Sequence, residues 1–311
     1  MRALGIAALA VSLAGLIVPG SWGAAEPSFD AWWHDGRAEL DGYRLTVMRY
    51  GHPRQGRAAA IYVTEPFSRS QQVKLDDPSR SPDDAIDVLK LNLVRDFQTG
   101  IYDYHTILSL FARSADFAPV KITFSSSEWC GQVYEQLNFR ETGVSQRVFS
   151  YFEGESGERR LDLPAGGIAE DNLFILLRGL RGPFLEPGRR RTVPFLTSPF
   201  HRRLAHRRAD WAPATIERLA RSQRLTVPAG TFDTDVYVVR PADGREGRFH
   251  VERAHPHRIV RWAWAPAPGA RPLGGTDVGE LTGTTRLQYW RTNDPGDEKY
   301  LRELGLEPSV R

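Results

Sequence analysis

The sequence predicts a mainly β protein: curved antiparallel sheets or an open β-barrel, built as one sheet system or as two β halves, with a few short helices. Three observations predict it. Apolar and polar residues alternate along much of the chain, as in Tyr43-Arg44-Leu45-Thr46-Val47-Met48, the pattern of a half-buried strand. The 28 glycines and 21 prolines punctuate these runs at short intervals. Helical patterning with caps is confined to short stretches. At 311 residues, 41% hydrophobic and 25% charged, the chain can bury a core of useful size and divides into one large β domain or two smaller ones.

Residues 1–25 read as a signal peptide. Met1-Arg2 is followed by the uncharged run "ALGIAALAVSLAGLIVP" and then by small residues, with cleavage expected after Ala25 and Gly23 as the alternative. Pro19 breaks the apolar run, which argues against a retained anchor. No cysteine lies near the cut, so the mature chain is expected to be exported, periplasmic or extracellular, and not lipid-anchored. The single cysteine, Cys130, allows no internal disulfide.

An N-terminal β region spans 26–185. Pro27 to His34 is a short helix or an aromatic arm. A strand follows from Arg37, in which Tyr43, Leu45 and Val47 share a face and Gly42 shifts the phase relative to Ala38 and Leu40, as a bulge would. "GHPRQG" reads as a turn and "RAAAIYVTEPF" as the returning strand. The aspartates 76, 77, 83, 84 and 87 lie in a polar loop whose prolines and spacing do not fit a calcium loop. Two strands flank Thr99-Gly100, "PVKITFSSSEWCGQVYEQLNF" reads as one further strand, and "QRVFSYFEGE" as another. Asp171 or Asn172 caps a short helix carrying Leu173, Phe174, Leu176, Leu177 and Leu180.

Residues 186–213 read as an Arg-rich connection. The C-terminal β region, 214–292, shows four strands between Glu217 and Pro266 and a fifth in "GELTGTTRLQYWRT". Residues 293–311 form a short terminal helix and tail, with Asp294 as cap and Pro295 at its first position.

"LTVPAGTFDTDVYVV" and "GRFHVERAHPHRIVRWAW" in this second region resemble an uncharacterised class of bacterial envelope β-domains, in which a Gly-Thr-Phe strand, a hairpin and an Ile-Val-Arg strand follow in order. Those domains are related in shape to the open β-barrels of periplasmic lipoprotein carriers. The resemblance covers roughly a quarter of the chain. It implies fold and compartment and carries over no catalytic residue.

Candidate chemistry is sparse. Cys130 follows Trp129 as in a thioredoxin motif, but position 133 is Val, so no resolving thiol exists and a buried structural thiol is expected. Val120, Ile122, Phe124, Ser126, Glu128 and Cys130 share one strand face that turns from apolar to polar, as a pocket wall or a barrel mouth does. Asp103 and His105, two apart on one strand face, are placed for a carboxylate to orient an imidazole. With Glu128 they are the candidate catalytic residues, although no nucleophile accompanies them. His255 and His257 have zinc-strand spacing without a third ligand, so neither a metal nor a cofactor is expected. Trp262, Trp264 and Trp290 are expected to line one sheet face.

The strongest electrostatic signal is Arg189, Arg190, Arg191, Arg202, Arg203, Arg207 and Arg208, within a stretch that holds no acid. Such a field attracts anions. Outside the cytoplasm these are anionic lipid or glycan rather than nucleic acid, and contact with a membrane surface is expected. The sequence therefore points to an exported cell-envelope protein with a non-enzymatic binding or structural role toward a lipid-like or glycan ligand. The alternatives are a hydrolase of an envelope polymer and a protein-interaction module.

Overall fold

The computed structural model describes residues 26–267, 269 and 277–308. The expected leader, 1–25, lies outside the described residues. Eight strands form an antiparallel meander: β1 (Ala38–Arg49), β2 (His52–Ser68), β3 (Ala85–Thr99), β4 (Tyr102–Arg113), β5 (Pro119–Glu128), β6 (Gly131–Arg140), β7 (Gly143–Ser150) and β8 (Gly157–Leu161). The remaining strands are β9 (Ile168–Ala169), β10 (Arg190–Leu196), β11 (Trp211–Arg218), β12 (Gln223–Val227), β13 (Gly230–Pro241), β14 (Arg245–Glu252), β15 (Ile259–Pro266) and β16 (Asp277–Leu287). They make one curved sheet, ordered β8-β7-β6-β5-β4-β3-β2-β1-β16-β15-β14-β13-β11-β10-β9, with β12 attached to β13. The β1–β16 ladder joins the regions 26–185 and 214–292 in a single sheet. Residues 186–213 contribute strand β10 and helix α3 (Pro199–Leu204) rather than a bare connection.

The sheet does not close, since its end strands β8 and β9 share no ladder. The seam is crossed instead by side chains. Arg159 Nη1 donates to Ala209 O at 3.1 Å, and Trp211 Nε1 donates to Asp162 O at 2.8 Å. Antiparallel neighbours place the turns 50–51, 100–101, 129–130 and 151–156 at one rim, together with the α3 segment. The connections 69–84, 114–118 and 141–142 lie at the other.

The interior is filled by both sequence regions and by two short helices. Tyr43, Leu45 and Val47 of β1 face inward, as the alternation predicts. Trp262 and Trp264 join them, with the Tyr43 and Trp262 rings 4.6 Å apart. Trp290 instead lies in an exposed 3-10 turn, because its segment has left the sheet. Helix α2 (Leu173–Leu176) enters from one end and sets Phe174 against Phe249 and Trp262. Helix α3 enters from the rim of the β1–β2 turn, where Phe200 meets Phe124 and the Arg95 guanidinium. Near the N-terminus, helix α1 (Phe29–Trp33) is capped by Ser28, whose Oγ accepts from Ala31 N.

Gly42 has a different role from the one its sequence context suggests. The β1–β2 register runs unbroken through it, so β1 carries no bulge. The extra residue is Thr282 on β16, since Gly42 pairs with Gly283 and Tyr43 with Leu281. Ala38 and Leu40 are apolar because the outer face of β1 is also covered. The 3-10 helix Asp297–Leu304 and the residues just after it pack Leu304 and Leu306 onto them. A Cβ on Gly42 would come within 2.1 Å of Leu304 O, and one on Gly283 within 2.2 Å of Glu303 O. Two side-chain-free residues facing each other across the ladder let the C-terminal segment lie on the sheet.

Several boundaries differ from expectation. The first turn is Tyr50-Gly51, both at positive φ, and "HPRQG" is already strand β2. The stretch from Pro119 to Arg140 is a hairpin of two strands turning at Trp129-Cys130, so Cys130 is exposed rather than buried. The terminal helix starts after Gly296, not at Pro295, because Gly296 takes a left-handed conformation.

Candidate ligand cleft and the interior polar network

At the rim opposite the β1–β2 turn, a cleft of about 1040 Å³ opens between the ends of β3 to β6 and the segment from Leu163 to Phe184. Its wall carries Phe117, Val120, Phe139, Ile168, Leu176 and Phe184. Phe117 sits at positive φ (57°) at the end of the β4–β5 connection, which turns its ring under Phe29 and into the apolar wall. Four arginines edge the cleft: Arg69, Arg113, Arg140 and Arg191. Arg113 is paired with Asp116 at 2.6 Å. Arg140 donates to Ser70 O at 2.7 Å, and Arg191 lies over the Phe184 ring. Arg69 lies beside Asp84, whose carboxyl it helps to lower, whereas Arg140 and Arg191 have no carboxylate partner among the described residues.

A smaller cleft of about 510 Å³ at the same rim is lined by Trp32, Arg178, Arg181, Arg218, His255 and His257, among others. Its cations are mostly satisfied. Arg178 pairs with Glu39 at 2.6 Å and donates to Pro256 O and His257 O, and Arg218 pairs with Asp235. His255 meets Trp32 edge-on, and no group of metal-ligating side chains occurs among the described residues. Behind this cleft, burial and the neighbouring Glu39 push the Asp41 carboxyl up to about 7.

The interior holds a third assembly, centred on Glu170 just before α2. Glu170 Oε1 meets His201 Nδ1 at 2.6 Å, and its Oε2 accepts from Arg245 Nη2 at 2.8 Å and from the Ser198 backbone at 3.1 Å. Arg245 also binds Asp243, and His201 Nε2 lies 3.6 Å from Asp277. Burial alone would raise the Glu170 carboxyl, but Arg245 and His201 outweigh it and hold it well below the usual carboxylate range. Burial opposes the charged His201 ring, yet Glu170 raises it. Asp171 is pushed up to about 7, first by burial and then by Glu170. A second buried bond ties α3 to the wall: Arg202 Nη2 meets Glu135 Oε1 at 2.7 Å, and Gln146 donates to the same oxygen. None of Glu170, His201, Arg245, Asp277, Glu135 or Arg202 lines either cleft. The network bolts α2 and α3 to the strands.

The sequence-predicted residues separate accordingly. Glu128 pairs across β4–β5 with Tyr104 and shares its side of the sheet, whereas Asp103 and His105 point to the opposite side. The three are not brought together. The carboxylate on His105 is Asp96, its cross-strand neighbour, at 2.5 Å. Among the seven arginines, Arg202 is buried on Glu135 and Arg203 is paired with Glu155, so these two are not open to a solvent anion. Arg189, Arg190, Arg207 and Arg208 are exposed, and Arg191 alone reaches the large cleft. Arg69, Arg113 and Arg140 escape sequence reasoning because each is an ordinary charge beside a turn. The inward acids were signalled: Glu39 and Asp41 are in phase with Tyr43 and Leu45, which a strand permits only if that face has polar partners.

Fold and cleft together define an open, barrel-like β protein plugged by helices, with a side cleft. No protein-family model matches the chain, and no curated protein matches it. Among solved structures it is similar to a β-barrel-like protein of a domain of unknown function, DUF1849, from Brucella abortus, at 10% identity and TM-score 0.45, covering 80% of this chain and 97% of that one. It is more loosely similar to a putative outer membrane lipoprotein-sorting protein domain from Vibrio parahaemolyticus, at 10% identity and TM-score 0.24, covering 89% of this chain and 95% of that one.

Proposed function

We propose that the protein is an exported binding protein of the cell envelope, holding an amphiphile with an apolar chain and an anionic head in the large cleft. The observation that carries this reading is the pairing of an apolar wall (Phe117, Phe139, Ile168, Leu176) with two edge arginines, 140 and 191, that lack carboxylate partners among the described residues. Apolar burial supplies affinity and the guanidinium groups orient the head. Export rests on the sequence of residues 1–25. Hydrolysis is the weaker reading, because it requires two carboxyls facing across an open cleft, and Glu128 and Asp103 face opposite sides of the sheet.

The test is titration with a fluorescent anionic amphiphile, together with native mass spectrometry of protein purified from its own envelope. Arg140→Glu with Arg191→Glu is expected to weaken binding at least tenfold, while a neutral amphiphile with the same chain changes little. Equal binding of the anionic probe by wild type and variant overturns the reading, as does competition by a soluble glycan but not by lipid.

A further inference from the structure

The rim opposite the cleft carries a different surface. The large apolar and aromatic side chains that stay exposed are concentrated there: Tyr50, Ile101, Trp129, Tyr134, Phe149 and Tyr151, with Ile101 at 78% and Trp129 at 69% exposure. Tyr50, Ile101, Trp129 and Tyr151 come from the turns β1–β2, β3–β4 and β5–β6 and the one after β7, which are adjacent in the sheet, and Tyr134 and Phe149 are cross-strand partners on β6 and β7. They are held in a row. Tyr102 Oη donates to Tyr50 Oη at 3.1 Å, and Tyr50 and Tyr104 hydroxyls lie 2.9 Å apart. The Tyr102 ring is 6.4 Å from Trp129. Tyr151 packs against the bare face of Gly131, where a Cβ would come within 2.4 Å of its ring. Phe152 follows at 5.5 Å from Tyr151, and His206 at 5.0 Å from Phe152. The row thus ends at the tail of α3, beside the exposed Arg207 and Arg208.

We infer that this rim docks on a bilayer surface containing anionic phospholipid. Four sequence-distant turns have no folding reason to converge on tryptophan, tyrosine and isoleucine. Turns are normally polar, and an exposed apolar patch of this extent marks a contact surface. Tryptophan and tyrosine favour the headgroup level, where the ring is desolvated and the N–H or O–H stays wet. The Tyr50 ring is fixed by hydroxyl bonds and by the Arg49 guanidinium 4.3 Å from its centre, so little freedom is lost on docking. Charge complements this. Arg49 lies beside Glu128, while the exposed Arg207 and Arg208, in no ion pair among the described residues, extend the row toward anionic headgroups. Docked this way, the protein turns the large cleft away from the bilayer. The inference stands independently of what the cleft binds.

Cys130 provides the probe, since it is the only cysteine, is exposed, and sits beside Trp129 in the turn. The native protein is labelled there with an environment-sensitive nitrobenzoxadiazole and mixed with phosphatidylethanolamine–phosphatidylglycerol vesicles. The emission is expected to shift to the blue and brighten. Unlabelled protein is expected to co-sediment with the same vesicles, with affinity falling at least tenfold for Ile101→Ser/Trp129→Ser and about threefold for Arg207→Gln/Arg208→Gln. Both variants replace exposed residues, and an unchanged thermal melt verifies the fold. Co-sedimentation with an unshifted Cys130 probe overturns the inference, because another face then binds. Unchanged affinity of the Ile101/Trp129 variant also overturns it. So does concentration-dependent self-association, lost in that variant and without vesicle binding, which would show a second copy covering the rim.

Discussion

Replacing Arg202 with methionine tests whether the arginines of 186–213 are surface charge or internal structure. The guanidinium gives three hydrogen bonds: Nη2 to Glu135 Oε1 at 2.7 Å, Nη1 to Oε2 at 3.4 Å, and Nε to Thr197 O at 2.9 Å. Glu135 is fully buried, and without Arg202 its carboxylate retains only the Gln146 amide at 2.8 Å. Breaking one side of a buried pair costs about 3–5 kcal/mol, since the remaining charge is stranded. At about 2–4 °C per kcal/mol for a chain of this general size, the melting temperature is expected to fall by on the order of 10 °C. Urea unfolding followed by tryptophan fluorescence and far-ultraviolet circular dichroism measures the change. Arg202→Met/Glu135→Leu removes both charges and is expected to recover most of the loss. Arg207→Gln/Arg208→Gln, on the exposed end of the same segment, should stay within about 0.5 kcal/mol of wild type. A loss under about 1 kcal/mol in Arg202→Met, or a double variant no better than the single, refutes the reasoning.

Two further predictions concern the sheet's outer cover and its interior acids. Gly42→Ala drives a methyl into Leu304 O and is expected to cost about 1–3 kcal/mol; limited proteolysis should then release the C-terminal segment faster than in wild type. Asp171, raised to about 7 among Glu170, Arg95, His201 and Ser198, binds its proton more tightly in the folded state. Its contribution is full below the unfolded carboxyl value near 4 and is lost as pH rises to about 7, at up to about 1.4 kcal/mol per pH unit. Asp171→Asn should therefore gain stability relative to wild type between pH 5 and pH 8, read by denaturant midpoints, and equal differences at both pH values count against the buried-acid account.

Alternation carried the β reading because one face of nearly every strand is core, and period two survives wherever that holds. It failed where both faces are covered. On β1, Ala38 and Leu40 answer to the C-terminal helix while Tyr43 and Leu45 answer to the interior, and the combination mimics a bulge. It failed again at Trp129-Cys130, where an aromatic in a two-residue turn is locally indistinguishable from a strand residue. The arginine segment was legible as charge but not as position. Arg202 and Arg203 differ from Arg207 and Arg208 only in that α3 carries the first pair into the sheet, toward Glu135 and Glu155. Those acids lie on β6 and beyond β7, far away in sequence. The large cleft was not legible at all, since its wall comes from five connections whose apolar residues each look like ordinary strand ends.

The ladder between β1 and β16 sets an order of events during synthesis. Asp41 and Thr284, hydrogen-bonded across it, are 243 residues apart. As the chain emerges, the β1–β8 meander finds each partner in the next hairpin, so these local pairings form early. One edge of β1 stays open until nearly the whole polypeptide has appeared. That edge alternates Glu39 and Asp41 with Ala38 and Leu40, and the two acids keep a nascent strand from recruiting a neighbouring chain. Glu39, paired with Arg178 in the finished interior, and Asp41 therefore act first as guards of an unfinished one.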